Sequence, residues 1–377
     1  MSSCRTRRLA AWGSRSPRRR FHKSGRANAD MDGCTCSAGD LAQKARALGI
    51  EDATDISRYG AGHINDTYKV ETAHGARYIL QRVNTSIFDP VKLKRTILRV
   101  TEFLKSKGVP SLEVVAYENP WRIFKFLEGY TSHEVVSEPS QAYVVGRAFA
   151  KFQNDLADMP GPRLDEIIPR FHDTPDRLRQ LDDALRADVK GRAASVAAEC
   201  AFVDARRAQA GRIVSLMASG EIPERVTHND TKINNVLTAP DGTAVVVDLD
   251  TVMPGSALYD FGDMVRTATA AAAEDEKDLS KVGSKVAYFE ALAKGYLEGA
   301  QFLNEAERAN LVFAGQLSTF EVGVRFLTDY LAGDTYFHID YPEHNLVRAR
   351  NQFRMVESLE SQAPAYEAII KSILEGK

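Results

Sequence analysis

Thr227-His228-Asn229-Asp230-Thr231-Lys232-Ile233-Asn234-Asn235, followed by Val246-Val247-Asp248-Leu249-Asp250, is the stretch on which the reading of this chain turns. An acid, Asp230, precedes an amide, Asn235, by five residues, and a second acid, Asp248, ends an apolar β-branched run. Asn235 to Thr238 and Ala244 to Val247 read as short strands around the turn Pro240-Asp241-Gly242, a hairpin that returns Asp248 towards Asn235. Two oxygen donors so placed can hold Mg²⁺, which prefers oxygen ligands. Asp230 is then left as a general base. Phosphoryl transfer needs these parts: a metal bridging phosphate oxygens and a carboxylate that takes the proton of the attacking hydroxyl. Taken singly, Asp230 reads as an ordinary cap and Asp248 as a strand-end acid. The spacing of the whole set carries the chemistry.

The spacing H-x-D-x-x-x-x-N with a later strand-borne Asp matches the catalytic and metal loops of protein-kinase-like enzymes. Asp260-Phe261-Gly262 spells the metal motif of protein kinases, but it lies 25 residues after Asn235, where a helix begins, whereas Asp248 follows its own strand after 13. Asp260 is therefore expected to brace the loop through the loop backbone or through His228, with Asp263 doing the same one turn later. Asp250 reads as a second metal ligand or a substrate contact.

Upstream, Asp66 to Glu71 and Arg77 to Val83 flank the turn Ala73-His74-Gly75 as a hairpin. A helix is expected from Asp89-Pro90, with Leu93, Ile97, Val100 and Leu104 on one face and Gly108 with Pro110 at its end. Val114 to Tyr117 and Trp121 to Phe126 read as further strands. Gly60-Ala61-Gly62-His63-Ile64-Asn65-Asp66-Thr67 lies between two candidate strands. Its glycines allow backbone N–H groups to approach phosphate oxygens. Many hairpins carry two glycines, so the phosphoryl-transfer loop downstream is what gives this turn its meaning. No G-x-x-x-x-G-K-[ST] occurs.

Downstream, Pro139 to Leu156, Pro175 to Val189 and Ala194 to Ser219 have the length of long helices, and helices resume from about residue 258. Gly146 reads as a packing contact within a helix. The Ala-rich patch at 268–273 reads as a helix end with a polar loop. The expected class is α+β: a bilobed, protein-kinase-like fold with a small β-rich N-lobe and a larger helical C-lobe. The expected division is a basic tail at 1–38, a nucleotide-binding lobe at 39–127, and a helical lobe with catalytic loop and acceptor site at 128–377.

The chain has 377 residues, 44% hydrophobic and 27% charged, ordinary values for a globular protein. Its net charge of −2 hides a split. Residues 1–30 hold nine Arg/Lys against one acid, Asp30, a balance of +8; the other residues hold 40 bases and 50 acids, a balance of −10. An acidic body argues against a nucleic-acid-binding surface. No run reaches the length of a bilayer span. Four cysteines (Cys4, Cys34, Cys36, Cys200) do not make a disulfide framework, and Cys34 with Cys36 lacks a nearby Cys/His pair for zinc. The expected setting is a reducing, cytoplasmic one. The +8 segment reads as disordered. Three explanations for it stand open: a start-site artefact upstream of Met31, a transit peptide, or a basic anchoring arm.

Residues 62–68, Tyr78 to Asn84, His228 to Asn235 and Asp248 to Gly255 resemble the aminoglycoside phosphotransferase and choline kinase superfamily. Together with Tyr259 to Asp263 and Gly333 to Phe337, they look like its N-acetylhexosamine 1-kinase branch. The resemblance runs from about residue 55 to about 360. It implies ATP and Mg²⁺ bound between the lobes, Asp230 as base, and Asn235 and Asp248 as metal ligands. It also implies nucleotide contacts from Gly62, His63, Ile64, Asn65, Thr67 and Gln81, and a linker, Phe126 and Leu127 to Glu128, whose backbone reads adenine. Many relatives carry Lys or Arg where Gln81 stands, so metal and backbone N–H groups are expected to carry more of the phosphate charge. The acceptor implied is a sugar's anomeric hydroxyl, with Glu321, Arg325 and Tyr336 as candidate contacts. The plain alternative for Glu321 and Arg325 is a solvated i,i+4 ion pair. Choline, homoserine and aminoglycosides are rival acceptors; a two-metal phosphoesterase and a non-catalytic nucleotide sensor are rival classes.

Overall fold

The structure is a computed structural model and describes residues 37–60 and 64–376. Ser37 and Asp40 form a reciprocal capping box that starts α1 (Ala38–Ala47). A five-stranded antiparallel sheet follows: β1 (Ala53–Arg58), β2 (Asp66–Thr72), β3 (Arg77–Arg82), then, after the helix α2 (Pro90–Ser106), β4 (Val114–Glu118) and β5 (Trp121–Lys125). Its spatial order is β1-β2-β3-β5-β4. Alternation gives the sheet two faces. Tyr68, Val70, Leu80, Trp121 and Ile123 face α1, which contributes Leu41 and Ala45. The opposite face meets α2 and the cleft. Asp89 caps α2 by accepting from the N–H groups of Val91 and Lys92, with Pro90 at the first position. Leu93, Ile97, Val100 and Leu104 are buried as their spacing predicts, each worth about 1.5–3 kcal/mol relative to exposure.

The helical lobe begins with α3 (Pro139–Leu156), α4 (Thr174–Ala187), α5 (Ala197–Asp204) and α6 (Arg212–Ser219). The single helix expected over Ala194 to Ser219 is broken into α5 and α6, with 3₁₀ turns at Ala193–Val196 and Arg207–Gln209. The corner is pinned by side chains. Arg206 lies over the Phe202 ring and pairs with Glu360, and Arg207 pairs with Asp182 and Asp204. Next come β6 (Arg225–Thr227), the hairpin β7 (Val236–Thr238) with β8 (Ala244–Val246), and β9 (Met253–Gly255), which returns to pair with β6. Gly242 supplies the positive φ that the hairpin turn needs. The remaining helices are α7 (Ala257–Ala268), α8 (Val286–Gly299), α9 (Glu305–Ala309), α10 (Leu311–Ala332) and α11 (His344–Leu374). The bilobed α+β architecture expected from the sequence is the one observed. No helix among the described residues is long and apolar enough to cross a membrane.

Two close helix crossings hold the site in place. A Cβ on Gly146 of α3 would meet the Leu292 carbonyl of α8, so Gly146 is the packing contact expected of it. A Cβ on Gly262 of α7 would meet Ala314 and Ser318 of α10. The triplet Asp260-Phe261-Gly262 thus divides its labour: Gly262 admits α10, Phe261 enters the core, and Asp260 turns to the loop after β6.

Candidate active site

β6 delivers the chain into a loop, residues 228–235, that is bolted to α7. The buried Asp260 carboxylate accepts from the backbone N–H groups of His228 at 2.8 Å and Asn229 at 2.6 Å, and from Gln153 Nε2 at 2.6 Å. Burial pushes this carboxyl up, and the bonds from His228, Asn229 and Gln153 offset only part of it. Asp263 accepts from Thr231 N–H at 2.8 Å and pairs with Arg266, while Thr231 Oγ1 donates to the Asp260 carbonyl. His228 Nε2 lies 2.9 Å from the Val247 carbonyl, which can only accept, so Nε2 carries the proton. His228 Nδ1 then accepts from Asp230 N–H. Asn229 sits in the left-handed region at φ 66, its amide donating to the Thr227 and Thr251 carbonyls. Asp248 has φ 58. Strained non-glycine positions of this kind collect at functional sites, where the surroundings over-determine them.

At the loop's centre, Asn235 Nδ2 donates to the Asp230 carbonyl at 2.8 Å and to its Oδ2 at 3.1 Å. Lys232 Nζ stands 3.0 Å from the same Oδ2. Burial pushes the Asp230 carboxyl up, but Lys232, His228 and the Asn235 bond together outweigh it and hold Asp230 below its ordinary value. Asp230 is therefore ionised and oriented. Lys232, raised in turn by Asp230, is a member of the site that the sequence reading left out. Its signal was its place inside the loop motif.

Asp248 is accessible to solvent but ringed by protein, and among the described residues its carboxylate has no hydrogen-bond or ion-pair partner. Desolvation first, then the neighbouring charges of Asp250 and Asp230, push it up to about 6. The β7–β8 hairpin brings Val247 N–H to the Asn235 carbonyl at 2.9 Å, so Asp248 is next to the amide. Because Asn235 Nδ2 is turned to Asp230, its Oδ1 is left over. One unpartnered carboxylate in a field of like charges, plus an amide oxygen, fits a hard divalent cation that keeps water and phosphate as its other ligands. No cluster of three or more His, Cys, Asp or Glu among the described residues forms a metal site by itself.

Asp250 is not free. It pairs with Arg122 of β5 (Nη1 to Oδ1 2.7 Å, Nη2 to Oδ2 2.9 Å) and accepts from Asn65 Nδ2 at 2.6 Å. This joins the N-lobe to the strand-end turn. Asn65 is engaged on both sides, since its Oδ1 accepts from Asn84 N–H. Thr67, Gln81 and Arg122 form a chain across β2, β3 and β5: Gln81 donates to Thr67 Oγ1 at 3.0 Å and accepts from Arg122 Nε at 2.9 Å. Ile64 is half exposed. Gly62 and His63 lie outside the described residues. Along the linker, Phe126 N–H donates to the Arg77 carbonyl, whereas Leu127 N–H has no partner among the described residues. Of the two linker residues named from the sequence, Leu127 is the one with a donor to offer.

The acceptor candidates are arranged differently from an i,i+4 ion pair. Glu321 is fully buried and accepts from Thr174 Oγ1 at 2.6 Å and His172 Nδ1 at 2.8 Å. Burial pushes its carboxyl up, and His172 and Thr174 bring it below its ordinary value. Glu321 therefore positions His172, which stacks on Tyr259 of α7 with centroids 4.7 Å apart. His172 was missed: nothing in the sequence around it marks it. Arg325, one turn on, lies among the rings of Phe171, Tyr336 and Phe337 at 5.1, 5.8 and 5.5 Å, and has no hydrogen-bond or ion-pair partner among the described residues. Tyr336 is 51% exposed. The turn that bears it is fixed by Asp329, which accepts from the N–H groups of Thr335, Tyr336 and Phe337 at 2.8–2.9 Å.

With this geometry in hand, comparison with known proteins is direct. The profile described as the phosphotransferase enzyme family matches residues 55–309, well over half of the chain. The chain belongs to that family. Among solved structures, it resembles a microcompartment-associated aminopropanol kinase (TM-score 0.57, 18% identity, 87% of this chain and 98% of that one). A choline kinase from Streptococcus pneumoniae (TM-score 0.54, 11% identity, 85% and 98%) and a Plasmodium vivax ethanolamine kinase (TM-score 0.52, 15% identity, 79% and 82%) share the fold. The protein is an ATP-dependent small-molecule phosphotransferase. A two-metal hydrolase would need His228, Asp250 and Asp263 as ligands. They are committed to the Val247 carbonyl, to Arg122 with Asn65, and to Thr231 with Arg266.

Proposed function

We propose that this phosphotransferase transfers the γ-phosphoryl group of ATP to the anomeric hydroxyl of an N-acetylhexosamine. The observation that carries the acceptor class is Arg325. Its guanidinium is unpaired among three aromatic rings, beside an exposed tyrosine, and Arg177 is close enough that burial and then the Arg325 charge lower its pKa. The acid nearby, Glu321, is already engaged by His172 and Thr174. An ammonium acceptor, such as the choline, ethanolamine and aminopropanol of the neighbours' names, calls for free acids or an empty aromatic cage. Here the rings are occupied by a cation. Unpaired guanidinium donors and an exposed aromatic face suit a neutral polyhydroxyl ring with an amide. The choice of the anomeric hydroxyl rests on the sequence resemblance.

In this reading Asp230, ionised and aimed by Asn235 and Lys232, accepts the proton of the attacking hydroxyl, a function typically worth about 10²–10⁴-fold. Asp248 and Asn235 would hold Mg²⁺, which when bound neutralises charge on the phosphate oxygens. Lys232 balances the Asp230 carboxylate before the proton arrives. Asp260 and Asp263 keep the loop backbone fixed, so little reorganisation is needed at the moment of reaction. ADP release measured over a panel of hexosamines, amino alcohols and aminoglycosides tests the acceptor, with identification of the sugar 1-phosphate. N-acetylhexosamines are expected to lead. Faster turnover of any amino alcohol would sink the sugar assignment.

A further inference from the structure

Gln81 puts no positive charge at its own position on β3, and Arg77, on the same face, is paired with Glu128 of the linker. The sheet register shows where a replacement lies. Gln81 of β3 pairs with Thr67 of β2 on one side and with Arg122 of β5 on the other. The three side chains therefore share the face turned to α2 and the cleft. Gln81 bridges its neighbours, as donor to Thr67 and acceptor from Arg122, so it orients the guanidinium instead of supplying a charge. The guanidinium projects across the lobe boundary to Asp250, two residues past the candidate metal ligand Asp248, and it feels the Asp248 charge as well.

Arg122 is 1% exposed. A cation so buried is costly, and the pair it forms is weak grounds for stability, because desolvation opposes the Coulomb gain. It is also incompletely used. Arg122 Nη1 and Asp250 Oδ1, although 2.7 Å apart, make no aligned hydrogen bond, so Nη1 has donor capacity left and Oδ1 acceptor capacity. A buried, oriented guanidinium with donors in reserve, within electrostatic reach of the candidate metal ligand Asp248, is poised for an anionic ligand.

We propose that Arg122 is the nucleotide-phosphate cation of this enzyme, carried on β5 instead of β3, with Asp250 as the counter-ion that holds it when no nucleotide is bound. The proposal uses the ATP dependence of the enzyme and is independent of the acceptor, so its test contains none. Calorimetry with Mg²⁺ held constant compares ADP with adenosine, which differ only in the phosphates. In Arg122→Gln the preference for ADP over adenosine falls about tenfold or more, the worth of a charge-assisted hydrogen bond. In Asp250→Asn, which frees the cation, the preference is kept or rises. A purely structural ion pair predicts the opposite pattern: both variants weaken both ligands alike. If a single variant fails to fold, Arg122→Gln with Asp250→Asn removes both charges and leaves no unpaired ion. That double variant loses the ADP preference by the same factor, and adding Gln81→Lys restores part of it. A preference within about twofold of the parent in the folded Arg122→Gln or double variant overturns the proposal, since such a change is below the worth of one hydrogen bond.

Discussion

Asp230, Asn235 and Asp248 came from spacing alone, and the hairpin between them does what spacing required of it: it brings position 248 back beside Asn235. The site was legible there because local chain geometry sets it. Contacts made across the fold were not legible. Arg122 reaches Asp250 over 128 positions of sequence, and His172 reaches Glu321 over 149. Arg122 did leave one trace, a charge inside the otherwise apolar run Trp121 to Phe124. At this scale the decisive variant is Asp230→Asn. Its amide can still accept from Asn235, so the loop should hold. What is lost is the proton acceptor, and with it about 10²–10⁴-fold in kcat. Nucleotide affinity measured on the same sample should stay near that of the parent. Turnover close to the parent's would remove Asp230 from the role of base.

The elements most exposed to a single change are the helices that cross without side chains between them. α2 and the two hairpins could be read from caps, periodicity and turn residues, because each signal is local. α1 was passed over although Ser37-x-x-Asp40 is a capping box, and the break between α5 and α6 was not legible, because distant partners such as Glu360 hold that corner. Gly146 was legible as packing, and its partner now gives it a consequence. A methyl there meets the α8 backbone at Leu292, which cannot rotate away as a side chain would. α3 and α8 must separate, at a cost of about 1–3 kcal/mol. α3 also supplies Gln153 to Asp260 and places Phe149 and Phe152 against the His228 ring, with centroids 5.1 and 5.7 Å away. Gly146→Ala should therefore lower Tm by several degrees, on the order of 2–4 °C per kcal/mol, and lower kcat as well. Differential scanning calorimetry and steady-state rates read the two effects. An unchanged Tm would show that the crossing has room to spare.

For the whole molecule, the charge split found in the sequence poses a physical problem. A body with a balance of −10 binds a polyanion. General attraction cannot do this, so on the reading proposed above the nucleotide is held at short range, by Arg122 in the cleft, by the cation that Asp248 and Asn235 would hold, and by the N–H of Leu127 on the linker. None of these lies in the +8 segment of residues 1–30. Among the described residues the two hydrophobic cores draw on nothing before Leu41, and α1 closes its own start through Ser37 and Asp40. A chain beginning at Met31 keeps all of these. It should match the full chain in Tm within about 2 °C, since every core contact and the α1 cap among the described residues are kept. Its KM for ATP should also match at low salt, where an added basic segment would exert its strongest pull on an anion. If instead the shorter chain binds ATP more weakly at low salt and the gap closes as salt is raised, the basic segment contributes to nucleotide capture. The local set of Arg122, the cation site and Leu127 would then be insufficient for the task assigned to it.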